Sequence, residues 1–464
     1  MESKTTTTTT ASPTTDGKFR VAIIGGGLGG LSLAQVLRTN PRLRVTVYER
    51  QADCTDRLAG YRIQMERAAL DYLKALVAPA LVDAVERSVA PQPPAGQHLG
   101  FMRAADKRLL MTWYPAELRR MVSVNRWVLR AALLHEQEEF LQVGKKLVRY
   151  EVDGSEVVLY FEDGSSDMCD LLVGADGVWS KVRSQLLPHI RVKNSDIGVT
   201  YFKVPWLPEN EKLVPFGTGV AAFCEKNQVI TTHGWVNPEA RYTENSTTEH
   251  IGQEQSFIMA GFGSELRHYH NKSKNPEQFT SEELRDEVRT RLHGYKKVDP
   301  LFVEMADKVV LDSAYSNILK LVEQPKPWDN PCVTLLGDAT MNMSPYTGKG
   351  ASLAIADAME LAGVLKDGRF YTDKAVRRKL MKGYVTDMIK RRVKQRKGGV
   401  FIQKCVFFGR DRFRVVCRDA LFCTVDAAGH VVDKLQGIVG EKVALTDYNI
   451  NYDKREKKPR STLS

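Results

Sequence analysis

The sequence predicts an α/β fold in which a parallel-stranded domain is interrupted by an inserted antiparallel β-sheet and followed by a C-terminal helical segment. Three stretches carry that expectation. Val21–Arg50 runs through strand, glycine turn, helix and strand; residues 191 to about 310 hold short strand patterns with one clear helix; Pro331–Leu365 returns to strand, turn and helix.

In the first stretch, Val21–Ile24 is an unbroken apolar run that suits a strand buried on both faces. Gly25, Gly27 and Gly30 follow in G-x-G-x-x-G spacing. Leu31, Ala34 and Leu37 then recur at helical intervals, and Asn40-Pro41 ends the helix. A second strand, Arg44–Tyr48, runs into Glu49, nineteen residues after Gly30. The spacing has a chemical reason. Gly25 permits a tight turn, Gly27 lets the backbone approach a pyrophosphate, and Gly30 lets helix pack on strand. A diphosphate then sits at the helix N-terminus, where unpaired N–H groups and the macrodipole favour negative charge. Glu49 can accept hydrogen bonds from a ribose and would repel a 2′-phosphate. The stretch predicts a dinucleotide site that recognises ADP-ribose.

Further along, Gly60–Leu76 leads into a helix with Ala69, Leu70, Leu73 and Leu76 on one face. Arg62 precedes it, either as a surface arginine or as a group reaching phosphates or a nicotinamide donor. A breaker cluster, Pro91–Gly96, is followed by strand-like pieces at His98–Met102 and Arg108–Trp113. Val122–Gln137 predicts a helix capped by Ser123 or Asn125, with Arg126 and Arg130 four apart on one face. Leu147–Val152 and Glu156–Glu162 read as a hairpin across Asp153-Gly154. Asp170–Arg183 is a buried strand, a sharp Asp176-Gly177 turn, and a helix start carrying Ser180 and Arg183.

Within the insert, strands are expected at Ile197–Val204, Val220–Cys224, Gln228–Val236 and Ser256–Gly261, and a helix at Ser281–Leu292. Gly261-Phe262-Gly263 lacks a third glycine, so no second nucleotide-binding fold is expected. Phe223, Trp235 and Phe257 either line a cavity for a flat apolar ligand or pack under the sheet. After the insert, Val333–Leu336 is a strand ending at Gly337-Asp338. A loop with Pro345, Gly348 and Gly350 opens a helix that buries Ala351, Ala354, Ala358, Leu361, Ala362 and Leu365. The chain divides accordingly into a disordered leader (1–17), a discontinuous binding domain (18–190 and 311–370), a substrate domain (191–310) and a basic helical region with its tail (371–464).

Composition bounds the function classes. Hydrophobic content of 43% and charged content of 27% are those of an ordinary globular protein, and no apolar run is long enough to span a bilayer. The N-terminus lacks an apolar signal core, and seven cysteines without a C-x-x-C pair argue for reduced thiols in a cytoplasmic setting. The nine histidines are scattered apart from His268 and His270, so no metal site is expected. The net charge of +11 is local: Lys374–Arg418 carries sixteen Lys or Arg against Asp387 and Asp411. That argues against nucleic acid as the main ligand. The block reads as a solvated helix face dispensable for chemistry, or as a dock for an anionic intracellular membrane or an acidic partner.

Taken in order, Gly25-x-Gly27-x-x-Gly30, Asp176-Gly177 and Gly337-Asp338 make the sequence resemble FAD-dependent monooxygenases of the aromatic-hydroxylase type, the para-hydroxybenzoate hydroxylase-like family, over roughly residues 18–365. The resemblance implies a Rossmann-type FAD-binding domain holding FAD non-covalently. It places Glu49 on the adenosine ribose, Asp338 on the ribityl chain and Arg126 against FAD. Asp176 would serve both FAD and the nicotinamide donor, and Arg62 would lie near the cofactor. Gly348, Gly350 and Ala351 would face the isoalloxazine, where backbone N–H groups stabilise the negative charge of reduced flavin. Two residues depart from the family pattern: Met341 stands where a histidine is usual, and Ser352 where an asparagine is usual.

The same resemblance implies NAD(P)H as co-substrate and O₂ as oxidant. A flavin hydroperoxide would then hydroxylate or epoxidise an aromatic or polycyclic small molecule, in a biosynthetic or degradative tailoring step. No protein side chain is singled out as catalytic. A flavin-dependent halogenase fed by a separate reductase shares the fold, although its W-x-W-x-I-P signature is missing here; a non-catalytic FAD-stabilised scaffold is the remaining alternative.

Overall fold

The Val21–Ile24 run lies at the centre of a five-stranded, all-parallel sheet. Its order is Val333–Leu335, Leu171–Gly174, Phe19–Ile24, Leu43–Tyr48 and Leu141–Gln142. A computed structural model of the chain describes residues 17–52, 61–92, 99–113, 120–214, 219–224, 228–241, 254–407 and 412–438. The expected leader apart from Gly17, most of the Pro91–Gly96 cluster, and the tail beyond residue 438 lie outside the described residues.

Burial on both faces explains why these strands are unbroken apolar runs: Val21 through Ile24 and Leu171 through Gly174 are all buried. The Leu28–Leu37 helix is buried along its whole length. Its two polar members are Ser32 and Gln35, and Gln35 donates from Nε2 to the carbonyls of Leu133 and His135. Gly29 abuts Leu336 and Ala354, so this helix packs on Gly350–Val364, the helix expected after the glycine loop. The hairpin forms at Leu147–Asp153 and Glu156–Phe161, and Ser166–Cys169 adds a third antiparallel strand.

A second, seven-stranded sheet runs Val310–Val322, Val192–Pro205, Phe257–Glu265, Val229–Trp235, Gly219–Phe223, Leu99–Arg103, Leu109–Trp113. It is antiparallel except where Gly219–Phe223 meets Leu99–Arg103. Chain before and after the insert therefore supplies strands to it. The helices Ser281–His293, closed by a Thr280/Glu283 capping box, and Pro300–Asp307 cover one face over Phe202, Val204, Ile230, Ile258 and Phe262. Only the first of these helices is evident from the sequence pattern.

The other, inner face meets a two-stranded ribbon of Arg62–Glu66 and Met121–Asn125, and the C-terminal helices Lys374–Val406 and Arg412–Ile438. The ribbon corrects one expectation. Val122–Asn125 is strand, and the helix begins only at Arg126. Asn125 is its cap, accepting from Trp127 N at 3.0 Å, while Ser123 is not a cap. No helix among the described residues is long and apolar enough to cross a membrane.

Candidate cofactor and substrate site

The glycine turn is fixed by close approach. Gly25 has φ +112°, and a Cβ there would stand 2.5 Å from the carbonyl oxygen of Ala175. A Cβ on Gly30 would stand 2.1 Å from Gly25 O. At Gly27 a Cβ would meet nothing within 4 Å, and the same holds at Gly350. Both positions open onto space, and each sits at a helix N-terminus: Gly27 caps Leu28–Leu37, and Gly350 begins Gly350–Val364. Two helix dipoles therefore end at the carboxyl ends of the parallel strands, where anionic ligands bind in such sheets.

Glu49, at the end of the second strand, accepts from Gly26 N through Oε2 at 2.8 Å and from Gln51 N through Oε1 at 2.9 Å. The glycine turn thus orients the carboxylate, which keeps lone pairs for a ribose hydroxyl. Arg130, buried at 6% exposure, donates from Nε to Gly26 O at 3.2 Å. In the sequence Arg130 stands out only by its four-residue spacing from Arg126. Arg126 is half-buried, with its guanidinium 5.7 Å over the Tyr61 ring. Arg62 is no surface arginine. It lies in the ribbon, buried, with Nε donating to Ser123 Oγ at 3.0 Å, and burial pushes its pKa down to about 10.

Asp176 spends one oxygen on the fold: Oδ2 accepts from Lys181 N at 2.7 Å. Its Oδ1 is buried with no hydrogen-bond partner among the described residues, and burial raises the carboxyl pKa. Asp338, in the Gly337–Ala339 turn, makes no side-chain hydrogen bond among the described residues. Its pKa is also raised, by desolvation first, against the nearby charges of Arg392 and Arg183. Two carboxylates short of donors, two open glycines at helix N-termini and an oriented Glu49 fit a ligand with a diphosphate and many hydroxyls. FAD is such a ligand.

The loop after Asp338 is held from behind. Arg183 donates to Ala339 O at 2.8 Å, and Arg392 donates to Met341 O at 2.7 Å. Met341 is fully buried among Met343, Leu353 and Val393, so an apolar plug stands where the family has a histidine. Ser352 Oγ accepts from Glu66 N at 2.8 Å, tying the ribbon to the helix N-terminus beside Ala351. Gly348 closes the Pro345–Thr347 turn in a left-handed conformation, with Gln64 packed against it.

Tyr346 from this loop reaches the inner face of the second sheet. A Cβ on Gly263 would stand 3.0 Å from its hydroxyl, which is buried without a partner among the described residues. Tyr61, Tyr315 and Tyr201 form a row: Tyr315 stacks on Tyr201 at a centroid distance of 5.1 Å and meets Tyr61 at a tilt, 5.3 Å away. Thr231 and His233, half-buried on the central strand, alternate with Thr232 and Gly234 on the covered side. These residues form the wall nearest the loop.

Phe223, Trp235 and Phe257 pack instead of lining that wall. Phe223 stacks with Phe101 and Phe422 in a three-ring cluster, and Trp235 donates from Nε1 to Ser88 O at 3.1 Å while tilting against Phe257. The solvated-face reading of the basic block also needs correction. Arg377, Arg392 and Arg418 are buried, and Arg391 and Arg392 pair with the buried Asp357, so reversing their charge would disturb the core.

The FAD binding domain family model matches residues 18–391, most of the chain. An FAD-dependent monooxygenase of Trichoderma harzianum is 26% identical, over 81% of this chain and 91% of its own length. A 6-methylsalicylate 1-monooxygenase of Aspergillus terreus is 24% identical, over 88% and 86%. A dual O-methyltransferase/FAD-dependent monooxygenase of Phaeosphaeria nodorum is 27% identical over 74% of this chain, which spans only 40% of that relative. Among solved structures, a putative FAD-containing monooxygenase from Photorhabdus luminescens superposes with a TM-score of 0.65 at 26% identity, over 83% of this chain and 99% of that one. Fold and family model agree: the chain belongs to the FAD binding domain family, and the relatives it matches are FAD-dependent monooxygenases.

Proposed function

We propose that this protein consumes NAD(P)H and inserts one atom of O₂ into an aromatic or polycyclic small molecule by hydroxylation or epoxidation. Bound FAD supplies the electron transfer and oxygen activation. The chain's own residues bind, orient and exclude water. Gly27 and the Leu28 helix N-terminus take the diphosphate, Glu49 a ribose hydroxyl, and Asp176 Oδ1 and Asp338 take hydroxyl or amide donors. The Gly350 helix N-terminus faces the ring system and favours negative charge there.

The observation that carries the substrate reading is the row Tyr61, Tyr315 and Tyr201 beside half-buried Thr231 and His233, opposite the loop that holds Tyr346. Stacked rings offer flat apolar area at little entropic cost, and a few polar groups fix orientation. Burial pushes the Tyr346 hydroxyl pKa well above its ordinary value, so it stays protonated and can donate to a substrate oxygen.

A screen of phenols and polycyclic ketones for stimulated NADPH or NADH oxidation tests the proposal. Stimulation by a substrate, with equimolar oxygenated product, is expected. Reliance on a separate reductase would favour the halogenase reading, and bound FAD with no response to any donor would favour a scaffold.

A further inference from the structure

The two C-terminal helices carry outward faces that the flavin site does not use. On Arg412–Ile438, the inward side holds Arg418 and Phe422. Phe422 stacks on Phe101 and Phe223, and Arg418 lies 4.1 Å over the Phe223 ring. The outward side carries four large apolar groups beside exposed Arg414 and Thr424: Phe413 is 76% exposed, Val416 66%, Leu421 48% and Val425 49%. Large apolar side chains therefore stand where an amphipathic helix ordinarily shows polar ones to water. Five of the eleven exposed large hydrophobic residues among those described lie in the short stretch from Phe401 to Val425, so this is a patch and not scatter.

The preceding helix adds charge of one sign. Lys394, Lys397, Phe401 and Lys404 are all exposed, and steps of three, four and three residues put them on one stripe. The helices meet through Ile402, Cys405, Val406 and Phe407 with Phe422 and Cys423. Lysines beside aromatic and aliphatic side chains on a helical surface are the composition of an interfacial helix. Apolar groups enter the headgroup boundary, and ammonium groups engage anionic headgroups.

We propose that Phe401, Phe413, Val416 and Leu421, flanked by Lys394, Lys397 and Lys404, form a peripheral docking face for an anionic lipid bilayer. Charge selects this occupant: a second copy would bring lysine stripe towards lysine stripe, whereas anionic headgroups complement it. The location gives the dock a use. Phe422 packs on the second sheet, and Gly399 lies so close to the Pro345–Gly350 loop that a Cβ would stand 2.2 Å from Thr347 Cγ2. A docked bilayer is therefore one helix away from both walls of the substrate site, within reach of apolar substrate dissolved in lipid.

The test uses the full FAD-loaded chain and sedimentation with phosphatidylcholine vesicles, with and without phosphatidylserine. The protein should pellet with phosphatidylserine-containing vesicles only, and less at high salt. The variant Lys394→Gln/Lys397→Gln/Lys404→Gln should weaken vesicle affinity on the order of a hundredfold. Phe413→Asp/Leu421→Asp should abolish pelleting, and both variants should keep wild-type FAD content and melting temperature. Equal pelleting with and without phosphatidylserine, or none at low ionic strength, overturns the proposal. A dimer that Leu421→Asp breaks, without vesicle binding, gives the face to a second copy. Binding of polyglutamate but not of vesicles gives the lysines to an acidic protein.

Discussion

Arg392 and Asp357, each wholly buried, form an ion pair behind the cofactor loop, with Arg392 Nε 2.7 Å from Asp357 Oδ2. Asp357 also accepts from Gly337 N at 3.1 Å and from Arg391 at 2.7 Å, and Arg392 reaches Met341 O. The long C-terminal helix is thereby locked to both ends of the segment that carries Asp338. Removing one partner leaves a buried charge short of compensation, so Arg392→Leu should cost on the order of 3–5 kcal/mol in thermal or denaturant unfolding. Combining it with Asp357→Leu should recover part of that loss. Additive losses would show that the two residues act independently.

The glycine turn separates fold from cofactor. Gly27→Val should fold with the melting temperature of wild-type apoprotein yet purify without flavin, because a side chain there meets only open space, which we assign to the diphosphate. Gly30→Ala should damage the fold itself, since its Cβ has no room beside Gly25 O. Flavin retained by Gly27→Val would move the diphosphate elsewhere.

Asp338 links pH, stability and FAD. Its folded-state pKa is raised above the ordinary 3.8 by desolvation. An acid raised in the folded state favours folding while protonated; that contribution is complete below the ordinary value and is lost as pH rises through the folded-state pKa. Melting curves of apoprotein should therefore show Asp338→Asn gaining on wild type as pH climbs through that window. Asp338→Ala should weaken FAD by about 1–3 kcal/mol in titration. A pH-independent gap would mean that the carboxyl is not desolvated.

Core and wall aromatics should respond differently. Phe223→Ala and Phe257→Ala should each cost about 3–5 kcal/mol in unfolding experiments. Tyr346→Phe removes a buried hydroxyl with no partner among the described residues, so stability should hold or rise. Its KM for substrate should increase about two- to tenfold in steady-state kinetics, the worth of one lost hydrogen bond.

Chain-local features were legible in the sequence. The Val21–Ile24 strand, the tight glycine turn, the Asp176-Gly177 turn and the Gly350 helix all read correctly as elements because their causes lie within a few residues. Features that depend on distant packing did not. Val122–Asn125 has an apolar pattern compatible with helix, and only pairing with Arg62–Glu66 makes it strand. Ser352 looked like a family departure, and its bond to Glu66 N spans nearly three hundred residues. Arg392 sits in a run of basic residues whose composition suggests solvent, and only Asp357 on another helix reveals it as core.

The most direct measurement is incubation of FAD-loaded protein with NADPH and an accepted substrate under ¹⁸O₂, with mass spectrometry of the product and a count of NADPH consumed. One ¹⁸O atom per product molecule and one NADPH per turnover are expected, without any added reductase. Product formed with unlabelled oxygen from water, or no turnover until a separate flavin reductase is supplied, would contradict the proposed function.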